Sequence, residues 1–132
     1  MQVILDTNIL VSGIFWGGIP YKIIELWANN KLDIVISEEI LEEYISVIYR
    51  ISDDKELTNH WKNFILKSSH IVEAKSKVKF SRDKDDDKFI YCALASNSPF
   101  IITGDKDLLD IKEVQNIKIL KPNELLKIFF KK

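Results

Sequence analysis

Phe100-Ile101-Ile102-Thr103-Gly104-Asp105-Lys106-Asp107-Leu108-Leu109 is the stretch whose reading decides the fold. Its first four residues are apolar or β-branched and follow the breaker Asn97-Ser98-Pro99, so they read as a buried strand. The strand runs into Gly104, where a sharp turn with positive φ is expected, and then into a carboxylate, Asp105. A short helix is expected near Leu108. The chain start repeats this grammar: Val3-Ile4-Leu5 is a β-type run that ends at Asp6, and Thr7 begins a helix. In an open parallel α/β sheet the carboxyl ends of the strands share one crevice. Acids that close different strands there become neighbours on folding.

Working outward, strands and helices alternate. The first helix covers Thr7 to Ile14 and is broken by Gly17-Gly18. Pro20 fits the first turn of a helix running to about Asn29, where its missing N–H costs nothing. Asp33 to Ile36 is a second strand. Ser37 caps a helix to about Arg50, with Glu38 and Glu39 near its positive end. Asp53 and Glu56 form a capping box for a fourth helix through about Lys67. Ile71 to Glu73 is a weak third strand, Ser76 to Asp83 a polar loop, and Asp85-Asp86-Asp87 opens a helix to about Ala95. Ile117 to Leu120 is a fifth strand, and Pro122 starts a terminal amphipathic helix carrying Leu125, Leu126, Phe129 and Phe130. The expected fold is α/β: a three-layer α/β/α sandwich with a central parallel sheet of four to five strands, in a single domain over residues 1–132.

The composition fits that fold. The chain has 132 residues, 46% hydrophobic and 30% charged, so a packed core is expected rather than disorder. Lys+Arg is 19 and Asp+Glu is 20, a formal charge of -1. There is no overall basic footprint, so any nucleic-acid binding must come from local patches or bridging cations. Cys92 is the lone cysteine, which excludes an intrachain disulfide and a cysteine-rich zinc site. No apolar run approaches the ~18 residues that span a bilayer. No membrane role is expected, and the cytoplasm is the default compartment.

Four acids carry the chemistry: Asp6, Glu43, Asp87 and Asp105. On the helix after the second strand, Ile40, Leu41, Tyr44 and Ile48 share one arc at about 100° per residue. Glu43 borders that arc, whereas Glu42 faces water. Of the three acids from Asp85, the apolar phase puts Asp87 on the side of Ile90, Tyr91 and Leu94; Asp86 is the alternative ligand and Asp85 the cap. Asp107 is a further ligand candidate, while Thr7, Asn8 and Thr103 support the carboxylates. Two carboxylates ~4 Å apart repel by roughly 4 kcal/mol at an effective dielectric of about 20. Four together need cations, protons or lysines to offset that. Mg²⁺ or Mn²⁺ fits an all-oxygen set, whereas zinc sites usually include His or Cys. His60 and His70 have no ligand spacing. Lys84, Lys88 and Lys106 lie near the expected rim, where they could meet phosphates.

Two other readings of the residues stay open. Haloacid-dehalogenase-type phosphatases need a second Asp two residues after the first, and Asn8 stands there. A receiver domain needs a lysine after its last strand, a place Lys121 fills. A binding module without catalysis would use Trp16, Trp27, Trp61, Tyr49 and the Phe129-Phe130 end.

The ordered set Val3 to Ser12, Ser37 to Arg50 with Glu42-Glu43-Tyr44, Arg82-Asp83 through Ile90, and Ile102 to Leu109 resembles a PIN domain, and nearly the whole chain is covered. It is most similar to the small prokaryotic VapC-type toxins of toxin–antitoxin pairs. That resemblance implies a flavodoxin-like sandwich and a Mg²⁺- or Mn²⁺-dependent endoribonuclease acting on RNA through Asp6, Glu43, Asp87 and Asp105. Asp86 competes with Asp87 for the third place. The resemblance also implies a protein antitoxin and a homodimer or higher homo-oligomer. Some relatives act in RNA processing instead, and some are inactive binding modules.

Overall fold

A computed structural model describes residues 1–74 and 86–131. The expectations for the Ser76 to Asp83 loop, the Arg82-Asp83 pair, Lys84 and the Asp85 cap lie outside the described residues. The elements run β1 (Gln2–Leu5), α1 (Thr7–Phe15), α2 (Gly18–Ala28), β2 (Asp33–Ile36), α3 (Glu38–Ser52), α4 (Lys55–Ser68), β3 (Ser69–Ile71), α5 (Asp87–Ser96), β4 (Phe100–Ile102), α6 (Lys106–Leu109), β5 (Glu113–Val114), β6 (Ile117–Leu120) and α7 (Pro122–Phe130).

One sheet has the order β3-β2-β1-β4-β6-β5. The first five of these strands pair in parallel, and β5 closes the edge antiparallel to β6. The chain therefore steps from β1 to β2 and β3 on one side, then returns to lay β4 on the other side of β1. The boundary between β1 and β4 is the topological switch point, where ligands bind in doubly wound sheets. Val3, Ile4, Leu5, Ile101 and Ile102 are fully buried, as strands covered on both faces require. Helices flank the sheet: α1 packs on α2 and α3, α3 on α4, and α5 lies across β1, β2 and β4. No single helix among the described residues is long and apolar enough to cross a membrane.

Four local expectations change. Asp54, not Asp53, caps α4: its carboxylate accepts the Leu57 N–H at 3.1 Å. Asp53 instead closes α3 in the left-handed conformation, φ 50°, which Asp tolerates better than most residues. The third strand lies two residues earlier than expected, because Val35 pairs with His70 and Ile36 with Ile71. The two-residue β5 is too short to leave a periodic signal. Gly104 does not take a positive φ; among the described glycines only Gly17 and Gly18 do. The turn after β4 is made by Thr103, whose Oγ1 accepts the Asp105 N–H at 2.9 Å.

Candidate metal centre

The backbone ladders place the first acid and the threonine beside it. Beyond β1, the Asp6 N–H continues the pairing to Ile102 O at 2.9 Å; beyond β4, the Thr103 N–H continues to Leu120 O at 2.9 Å. Both residues are thus fixed at the lip of the switch point. The Thr103 hydroxyl then donates to Asp6 Oδ2 at 2.6 Å, while its lone pairs hold the Asp105 N–H. One buried hydroxyl orients the acids that close two strands.

Glu43 comes in from α3. Ile40, Tyr44 and Ile48 bury one stripe of that helix, and the Tyr44 hydroxyl donates to Leu5 O at 2.5 Å. This bond ties α3 to the end of β1 and sets its rotation. Glu43, one residue earlier, therefore meets Thr7, whose hydroxyl donates to Glu43 Oε2. Its other oxygen, Oε1, accepts from Lys88 Nζ at 2.8 Å. Glu42 is exposed, as the helical phase requires.

The start of α5 and the turn into α6 supply the remaining acids. Asp86, Asp105 and Asp107 each offer a carboxylate oxygen, and the three oxygens lie within 4.8 Å of one another. Asp87, the first residue of α5, is buried at 3% exposure, and its neighbour Asp86, the N-cap of α5, is the one in the trio with metal spacing. Asn8 is exposed, whereas Thr7 and Thr103 are buried. Lys106 and Asp110 are exposed.

The electrostatics follow from this crowding. Burial pushes the Asp6 carboxyl above the ordinary carboxylate value, and the neighbouring Glu43 and Asp105 charges push it further; the Thr103 hydroxyl and the Asn8 backbone amide pull it back in part. Asp6 is thus electrostatically in reach of both Glu43 and Asp105. Burial also holds the Tyr44 hydroxyl well above its usual value, so it stays a protonated donor. A hard divalent ion fits this donor set. The ligand atoms are oxygens, three have metal spacing, and the ion would offset the Glu43 and Asp105 charges that add to the effect of burial on Asp6.

The sequence puts Lys88 near the rim, solvated or in reach of phosphates, and marks Tyr44 only as an apolar position. Lys88 instead lies in the crevice on Glu43. The signal for Tyr44 was its phenol, since a buried tyrosine hydroxyl needs an acceptor. Trp27, which a binding module would use, belongs to the core at 1% exposure, whereas Trp16 is exposed at 71%.

The class that fold and site define is an open, mostly parallel α/β sheet with carboxylates clustered at its switch point, a donor set compatible with a divalent cation. The particular family follows from the match of the PIN domain model to residues 2–107: the chain belongs to the PIN domain family. The uncharacterized protein MJ1680 of Methanocaldococcus jannaschii is 33% identical to it, over 99% of this chain and 93% of that protein. Two solved structures share the fold. The chain resembles a structure of VapBC2 from Rickettsia felis, bound to a DNA fragment from the VapBC2 promoter, with a TM-score of 0.62 and 22% identity, covering 90% of this chain and 97% of that one. It resembles VapBC-1 from nontypeable Haemophilus influenzae with a TM-score of 0.62 and 15% identity, covering 93% and 99%.

Proposed function

We propose that the protein is a Mg²⁺- or Mn²⁺-dependent endoribonuclease that hydrolyses RNA phosphodiesters at the switch-point crevice, and that it serves as the toxin of a toxin–antitoxin pair. The observation that carries the nuclease reading is the convergence of Asp6, Glu43, Asp86, Asp105 and Asp107 from four separate parts of the chain. Membership of the PIN family supports it. Asp86, Asp105 and Asp107, with Asp6 beside them, are the residues that would hold the ion. When bound, such an ion supplies Lewis acidity that polarises the phosphate and eases loss of a proton from the attacking water.

The chain's own groups do the positioning. Thr103 holds Asp6 and the backbone of Asp105 in one geometry. Thr7 and Lys88 hold both oxygens of Glu43. Tyr44 keeps α3 in register with β1, so that Glu43 stays beside the crevice. The buried strand ends beneath form a rigid floor, which favours preorganisation over rearrangement on binding.

The toxin reading draws on the likeness of fold to the two VapBC structures and calls for a protein antitoxin, a homodimer or higher homo-oligomer, and a cytoplasmic setting. The nuclease reading is tested with purified protein on single-stranded RNA. Cleavage is expected with Mn²⁺ or Mg²⁺ and not with EDTA, and Asp105→Asn is expected to abolish it while the protein stays folded by circular dichroism. Equal cleavage by the variant would refute the assignment. The toxin role is tested separately: expression should arrest growth, and a small antitoxin gene beside this one should restore growth on co-expression; no arrest would refute the role.

A further inference from the structure

Lys88 is the second residue of α5, the helix that packs on α3 and crosses β1, β2 and β4. Its side chain is 13% exposed, and its Nζ lies 2.8 Å from Glu43 Oε1. The Glu43 Oε2 is taken by the Thr7 hydroxyl, so each oxygen of this carboxylate already has a donor. The three carboxylates with metal spacing are Asp86, Asp105 and Asp107, a group that does not include Glu43. The crevice thus has two ends. One is held by an ammonium, and the other offers oxygens to an ion.

Two-ion nuclease sites set their ions roughly 3.5–4 Å apart, so a second ion here would have to sit within reach of Glu43. Asp6 is tied to both ends here: the Thr103 hydroxyl that donates to its Oδ2 also accepts the Asp105 N–H, and its chain neighbour Thr7 donates to Glu43. A second divalent ion at Glu43 would have to evict Lys88 and leave a largely buried ammonium beside more positive charge. We propose that Lys88 is the built-in second cation of this centre: its ammonium positions Glu43 and fills the place a second divalent ion would need, so that the site takes one divalent ion. This inference rests on the metal-centre reading. Lys88 acts through Glu43 and is a positioning residue.

The test is calorimetric titration of the whole protein with Mn²⁺ alone, with electron paramagnetic resonance counting free Mn²⁺. Wild type is expected to bind one ion per chain. Asp105→Asn is expected to weaken binding by more than the roughly 10–100-fold that follows loss of a ligand's hydrogen-bonding partner. Glu43→Gln is expected to keep the wild-type stoichiometry, because Glu43 serves Lys88 and not the ion. Lys88→Met is expected to admit a second ion, and Lys88→Arg to restore the single-ion titration, an exchange that a purely structural role would not produce. Two ions bound by wild type, loss of Mn²⁺ by Glu43→Gln to the extent seen with Asp105→Asn, or a folded Lys88→Met that still takes one ion would overturn the proposal. If Lys88→Met does not fold, the wild-type and Glu43→Gln titrations still decide. No Mn²⁺ bound by wild type would defeat the metal-centre reading itself, which separates the two failures.

Discussion

The two ends of α1 obey different physics. At its start, Asp6 is buried beside the charges of Glu43 and Asp105, and its carboxyl is pushed toward the protonated state. At its end, Gly13 lets α1 close on α2: a Cβ there would lie 2.5 Å from Ile24 Cδ1 and 3.0 Å from the Pro20 carbonyl. The α2 helix then carries Trp27, whose ring lies 4.7 Å from Phe64 and whose Nε1 donates to Ser68 O at 2.9 Å. The hairpin end fills space and satisfies its polar atoms, so it stabilises the fold. The crevice end packs like charges, which costs stability that a bound cation would restore. Nearby residues on one helix thus serve opposite ends, and substitutions should change stability with opposite signs.

The largest change is expected at the packed end. Trp27→Ala removes a buried ring and strands the Ser68 carbonyl, and should destabilise by about 3–5 kcal/mol; a midpoint in urea that barely moves would break the contrast. Gly13→Ala comes next, at about 1–3 kcal/mol, because the backbone of Pro20 cannot yield as a flexible side chain could. A neutral result in the same denaturation assay would mean that α1 and α2 do not approach as closely as described.

The opposite sign is expected at Asp6. Its carboxyl value is raised in the folded state above the ordinary 3.8. Its contribution to stability is therefore fully present below the unfolded-state value and is lost as pH rises through the folded value. In EDTA near neutral pH, Asp6→Asn should melt at a higher temperature than wild type, with the gap closing as pH falls toward 3.8. Added Mn²⁺ should stabilise wild type more than the variant. A variant less stable than wild type at neutral pH without metal would remove the charge-crowding account. The smallest effect concerns Cys92, which is free and buried, with its thiol pushed up to about 12 by burial. Native protein at pH 8 should resist iodoacetamide, and unfolded protein should react; rapid native labelling would show that the core beneath α5 opens.

The acids that end strands were legible because the signal is local. An apolar run that stops at a carboxylate marks both Asp6 and Asp105. Glu43 was legible from helical phase, since Ile40, Tyr44 and Ile48 fix which side of α3 is buried. Adjacent acids were harder. Asp86 and Asp87 differ by one helical step, and choosing between them requires the start of α5, which no apolar residue marks. The same ambiguity moved the α4 cap from Asp53 to Asp54. The Lys88–Glu43 pair joins residues 45 apart in sequence. It depends on how α5 docks against α3, a tertiary fact with no local trace. Gly104 misled because a glycine after a strand suggests positive φ, while the side chain of Thr103 was already able to turn the chain.

The most direct test of the central claim is the anomalous diffraction of a crystal soaked in Mn²⁺. A manganese peak is expected among the carboxylates of Asp86, Asp105 and Asp107, on the Asp6 side of the crevice, with Lys88 still on Glu43. Well-ordered density for these side chains with no manganese between them, or manganese only at surface carboxylates elsewhere, would contradict it.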